Sequence, residues 1–110
     1  MATDASTLYK LIILYMLDRV NSPMTNAQIS EFVLEKGYTT YFTLQEVLNT
    51  LISDGFITEE SYHSSTHYTI TDSGRETINF FKYKISSSIV SDINLFLSDN
   101  KYELKEAVNN

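Results

Sequence analysis

The stretch from Thr43 to Gly74 limits what this chain can fold into more than any other, because it carries the spacing of a helix, then of two strands, then of a second helix start. Thr43 is expected to cap the first helix, with Glu46 completing the capping-box pattern Thr43-Leu44-Gln45-Glu46. Leu44, Val47, Leu48, Leu51 and Ile52 recur at helical spacing and form one apolar stripe, which Asp54-Gly55 brings to a stop. From Gly55 the pattern becomes extended, Phe56 to Tyr62, with a polar turn His63-Ser64-Ser65-Thr66 and a return segment His67 to Thr71. Thr71 is placed to cap the next helix, and Gly74 permits close packing in its first turn.

A helix, a short hairpin and a further helix in that order form a winged helix, and the upstream half supplies the rest. A first helix is expected over about Ser6 to Val20, apolar at Leu8, Leu11 to Leu17 and Val20. That stripe is too wide for one buried face, so it needs cover on two sides, from the C-terminal helix or from a second subunit. Asn21-Ser22-Pro23 ends this helix. Thr25 caps a second, with Ile29, Phe32 and Val33 facing inward and Gly37 as its stop. A turn over Tyr38 to Phe42 then completes a helix-turn-helix. After the hairpin, Arg75 to Ile85 reads as a helix with Ile78, Phe81 and Ile85 on one side and Phe80 widening it. Ser86 to Ser88 either breaks it or caps a last helix carrying Ile89, Val90, Ile93, Phe96 and Leu97. The fold class expected is α+β, mostly helical: a winged helix-turn-helix with a two-stranded wing and additional C-terminal helices. One domain is expected over residues 1–100, with a frayed tail at 101–110.

These segments also carry a resemblance. Asp54-Gly55-Phe56-Ile57, taken with Tyr68-Thr69-Ile70-Thr71-Asp72-Ser73-Gly74, resembles the entry to and exit from the wing in bacterial winged-helix regulators of the phenolic-acid-decarboxylase-regulator and multiple-antibiotic-resistance-regulator kind. A nearer resemblance is to an uncharacterised winged-helix family of anaerobic Gram-positive bacteria, known only as a domain of unknown function. It is carried by Leu14-Tyr15-Met16-Leu17-Asp18, Met24-Thr25-Asn26-Ala27-Gln28-Ile29, Tyr41-Phe42-Thr43-Leu44-Gln45 and Ile70-Thr71-Asp72-Ser73-Gly74, and extends over about Leu8 to Asn100. Many members of that family continue into a further C-terminal segment, whereas this chain stops at Asn110; a short member or a trimmed chain is the expectation. The resemblance implies a transcriptional-regulator-like DNA-binding protein.

Composition narrows the chemistry. At 110 residues and 43% hydrophobic, the chain suits one globular domain. The absence of cysteine excludes disulfides, thiol catalysis and thiolate metal sites, and fits a reducing cytoplasm. The longest apolar run, Leu11 to Leu17, falls far short of the roughly 20 residues that span a bilayer, and nothing before it resembles a secretion signal. A cytoplasmic protein without a membrane partner is expected. Glu59 and Glu60 are adjacent on a strand and point to opposite faces, so they cannot share a substrate; with no nucleophile-base pair or phosphate-cradling loop, no enzyme and no cofactor is expected.

The candidate DNA contacts are Tyr38, Thr39, Thr40, Tyr41, Thr43, Gln45, Glu46 and Asn49 around the third helix, and His63, Ser64, Ser65, Thr66 and His67 on the wing. Gln and Asn can pair with adenine and Glu can accept from cytosine, although the same residues would equally form the solvated face of an amphipathic helix. Charge opposes the DNA reading. From Gly37 to Gly74 there are five acids, Glu46, Asp54, Glu59, Glu60 and Asp72, and no lysine or arginine, within a net charge of -6. Double-stranded DNA is therefore a possible but electrostatically disfavoured partner, and an acidic face for a basic protein partner is the competing reading. Lys10, Arg19, Lys36, Arg75, Lys82 and Lys84 lie outside this region and could flank a DNA backbone.

His63 and His67 bracket the wing tip but lack the further ligands that a metal requires, so no metal is expected. Tyr9, Tyr15, Phe80, Phe81 and Tyr83 could line a ligand pocket, but aromatics at this spacing more often fill a core. The stripe on the last helix either packs on the first helix or joins two subunits; the second is preferred, and a homodimer is expected through Leu8, Ile12, Tyr15, Ile89, Ile93, Phe96 and Leu97.

Overall fold

The computed structural model describes residues 4–100 and 102. Its elements run α1 (Ala5–Arg19), β1 (Met24–Thr25), α2 (Asn26–Glu35), α3 (Tyr41–Ser53), β2 (Ile57–Tyr62), β3 (Ser65–Ile70), α4 (Asp72–Phe81), a 3-10 turn (Lys82–Lys84) and α5 (Ser87–Asp99). The fold is mostly helical α+β, as the apolar periodicities predict. Of the expected frayed tail, all but Tyr102 lies outside the described residues.

Local chemistry sets most boundaries. Thr25 caps α2 in a full capping box with Gln28, each side chain meeting the other's backbone N–H. Helices α2 and α3 end in Schellman motifs: Gly37 N–H donates to Leu34 O and Tyr38 N–H to Val33 O, and Gly55 N–H donates to Ile52 O and Phe56 N–H to Leu51 O. Gly37 and Gly55 accordingly sit at φ 71° and 81°.

The start of α3 differs from the expected one. Thr40, not Thr43, is the cap: its hydroxyl accepts from Thr43 N–H at 3.2 Å, so Tyr41 and Phe42 form the first helical turn. Thr43-Glu46 is therefore not a capping box. Helix α4 starts at Asp72 under the Thr71 cap, as Thr71 and Gly74 predict, so it takes in three residues ahead of the Arg75 to Ile85 stretch, and it tightens into the 3-10 turn before Ile85. Ser86 caps α5.

The sheet has the order β1-β3-β2 and is antiparallel throughout, with Met24 opposite Tyr68 and Ile57 opposite Ile70. The two-residue β1 adds a third strand to the expected two-stranded wing. Its hairpin is tighter than the four-residue tip read from sequence: only His63 and Ser64 lie between the strands, at φ 52° and 64°. Two left-handed central residues are the pattern of a type I′ turn, whose twist matches that of the strands.

Helix α1 buries Leu11, Ile12, Ile13, Leu14, Met16 and Leu17, on several sides, against α3, α4 and β3. The cover that its wide stripe demands comes from within the chain. Helix α5 closes the core from the other direction: Phe96 meets Phe32 with ring centroids 5.1 Å apart, and Arg19 Nε donates to Asn94 Oδ1 at 3.3 Å. Of the side chains expected at a subunit interface, Ile12, Ile93, Phe96 and Leu97 are thus consumed by the core of one chain. Leu8, Tyr15 and Ile89 are half-buried against that same core.

Candidate nucleic-acid interface

Helix α3 and the wing converge on one polar cleft of about 590 Å³. Its walls are Tyr41, Gln45 and Asn49 from α3, Ser64, Ser65 and Thr66 from the wing tip, Glu59 and Tyr68 from the strands, and Thr25, Asn26 and Ser30 from the start of α2. Seven of the sequence-predicted contact residues meet here or just beside it, since Glu46 is exposed on the next turn of α3.

Asn26 is the hub of the cleft floor. Its Nδ2 donates to Gln45 Oε1 at 2.7 Å and to the Tyr68 hydroxyl at 3.0 Å, while its Oδ1 accepts from Ser30 Oγ at 3.1 Å and from Gln45 Nε2 at 3.3 Å. This network joins α2, α3 and β3, so the wing is held at a fixed angle to α3. Burial pushes the Tyr68 hydroxyl above its ordinary value, the Asn26 bond opposes that and Glu59 adds to it; Tyr68 is a neutral donor and acceptor here. Asn26, Ser30 and Tyr68 were not among the residues expected from sequence. Their only local signal was a polar residue directly after the Thr25 cap.

The network also changes the role of Gln45. Its amide is engaged on both ends by Asn26, which leaves Asn49 and Glu46 as the exposed side chains on that face of α3.

Three other expected contacts serve the fold. Tyr38 is half-buried, 5.7 Å from Phe32 by ring centroids, and its hydroxyl donates to Asp92 Oδ2 at 3.0 Å, latching α5 to the α2–α3 turn. Burial, with the Asp92 bond and charge, pushes that hydroxyl up to about 12. A raised value means that the stabilisation is complete below the ordinary phenol value of about 10 and disappears as pH rises through about 12. Tyr38→Phe should therefore cost about 1 kcal/mol at neutral pH and lose less stability than the wild type between those pH values. Identical alkaline profiles in urea denaturation would show that the latch is not formed. Thr40 is occupied as a cap, and Thr43 Oγ1 accepts from it at 3.1 Å.

At the wing tip Tyr62 stacks on His67, with centroids 4.1 Å apart and planes within 5°, and meets the edge of His63 at 5.4 Å. Both histidines thus pack on the Tyr62 ring at the end of β2. Among the described residues no group of three or more His, Asp or Glu side chains is placed to hold a metal ion. The aromatic pocket considered from sequence is not assembled either, since Phe80 and Tyr83 are exposed.

A helix-turn-helix α2–α3 that runs directly into a hairpin wing, with both lining one open cleft, places the chain among winged-helix proteins. The chain matches the domain of unknown function DUF4364 over residues 9–110 and belongs to that family. Its fold is similar to the crystal structure of SSV1 F-93, with a TM-score of 0.55 at 15% identity over 83% of this chain and 90% of that one. No curated protein matches the chain in sequence. Among the described residues no helix is long and apolar enough to cross a membrane.

Proposed function

We propose that this protein is a DNA-binding winged-helix module of the transcriptional-regulator type, acting as a homodimer in the cytoplasm. The observation that supports this best is the convergence of the α3 outer face and the wing tip on one open cleft lined by Tyr41, Asn49, Ser64, Ser65 and Thr66. Hydroxyl and amide groups of this kind contact phosphate and sugar, while Asn49 and Glu46 face outward for base edges. Two subunits would present two α3 helices to successive half-sites.

A second reading is supported by charge. The cleft is lined by Glu59 and by no lysine or arginine, which suits a basic protein partner better than a polyanion. One titration separates the two. Fluorescence polarisation with random duplex DNA should show binding at low salt that collapses as salt rises. Glu59→Gln should then tighten binding about fivefold, for removal of on the order of 1 kcal/mol of repulsion. A folded protein that binds no duplex at low salt, with Glu59→Gln equally inert, would leave the protein-partner reading standing alone.

A further inference from the structure

Apart from Tyr41 and Phe42 on α3 and Tyr62 on the wing, four large apolar side chains are exposed among the described residues: Leu34, Phe80, Tyr83 and Leu95. Phe80, Tyr83 and Leu95 belong to two patches of opposite charge. Phe80 and Tyr83, 71% and 74% exposed, alternate with the exposed Lys82 and Lys84 at the end of α4 and its 3-10 turn. Within this knob the Phe80 ring stands edge-on to half-buried Phe81 at 4.8 Å, and Lys84 Nζ lies 5.7 Å from the Phe81 centroid.

The other is a groove between α2 and α5, lined by Leu95 and Phe96 with four acids, Glu31, Glu35, Asp92 and Asp99, against one cation, Lys36. Leu95 also belongs to a shallow groove that follows the outer face of α5 from Ile85, directly after the knob, past Val90. Knob and acidic groove therefore lie at opposite ends of α5, whose 13 residues span ~20 Å at the helical rise.

We infer that this surface is the contact between two copies of the chain, with the Phe80/Tyr83/Lys82/Lys84 knob of each seated in the Glu31/Glu35/Leu95 groove of the other. A two-fold contact requires a patch that is complementary to itself, and one with a cationic-aromatic end and an acidic-apolar end meets that requirement when two α5 helices run antiparallel. An unrelated basic partner would use the groove but leave the knob bare; an acidic one would do the reverse. The inference rests on the two-subunit part of the proposed function and not on its DNA part.

The experiment uses two charge-reversed chains, Lys82→Glu/Lys84→Glu and Glu31→Lys/Glu35→Lys, studied separately and mixed by sedimentation velocity across a concentration series. All four residues are exposed, so each variant should keep the wild-type helical content by circular dichroism. Each variant alone should dimerise at least about tenfold more weakly, because like charges meet at both ends. The equimolar mixture should recover a dimer, since both of its knob-groove contacts are again opposite in charge. A wild-type dimer indifferent to both variants, or a mixture that does not recover, would overturn this surface while leaving the two-subunit reading intact. A wild type that stays monomeric throughout would overturn both, and the DNA titration would still decide the cleft.

Discussion

Gly74→Ala is expected to cost about 3 kcal/mol, at the upper end of what overpacking a native core costs. A Cβ at this position would collide with the carbonyl oxygen of Phe56 and lie 2.9 Å from Ile70 Cγ1. The oxygen is backbone and cannot rotate aside. It also accepts from Thr71 N–H at 3.0 Å, while the Thr71 hydroxyl donates to Gly55 O at 2.7 Å and accepts from Gly74 N–H at 3.0 Å. These bonds clasp the exit of α3 to the entry of α4, so a methyl group there separates the two ends of the wing rather than one contact. Gly37→Ala and Gly55→Ala provide the comparison. Both have positive φ but open space where a Cβ would go, so each should cost only about 1–2 kcal/mol of backbone strain. Urea denaturation of the three variants tests this directly: equal losses would mean that the close approach at Gly74 does not exist.

Phe32→Ala should cost about 3–5 kcal/mol, the range for removing a buried phenyl group. Phe32 is fully buried and lies within 5.7 Å of the Tyr38 ring and 5.1 Å of the Phe96 ring, by centroids. It is the point at which α2, the α2–α3 turn and α5 meet. The loss should be seen in a single cooperative transition, because α5 is part of the core of one chain. A two-step melt in which only a small helical signal is lost first would instead mean that α5 is an appendage, stabilised by something other than Phe32.

What could be read from the sequence was what neighbouring residues decide. Thr25, Thr71, Gly37 and Gly55 each act within one helical turn, and each does what its type and spacing predict. Thr43 did not, because Thr40 three residues earlier offers the same hydroxyl, and nothing local ranks one cap above the other. The partners that order the cleft are far apart in the chain: Asn26 bonds Gln45 at a separation of 19 residues and Tyr68 at 42. No periodicity reports such pairs. Strand β1 is likewise two residues long and exists through β3. The stripe on α5 was legible, but its partner was not, since an apolar face looks the same whether its own core or another subunit covers it.

The sheet order β1-β3-β2 leaves β2 as an edge, with half of its backbone donors and acceptors facing no strand. Edges of this kind invite cross-chain pairing and fibre growth. Glu59 and Glu60 sit side by side on that edge, on opposite faces, at a strand exposed from Thr58 to Tyr62. A stranger strand approaching from either face meets a carboxylate. The acidity of this wing thus also opposes cross-chain pairing, and a variant that neutralises both glutamates is expected to have a shorter life in concentrated solution.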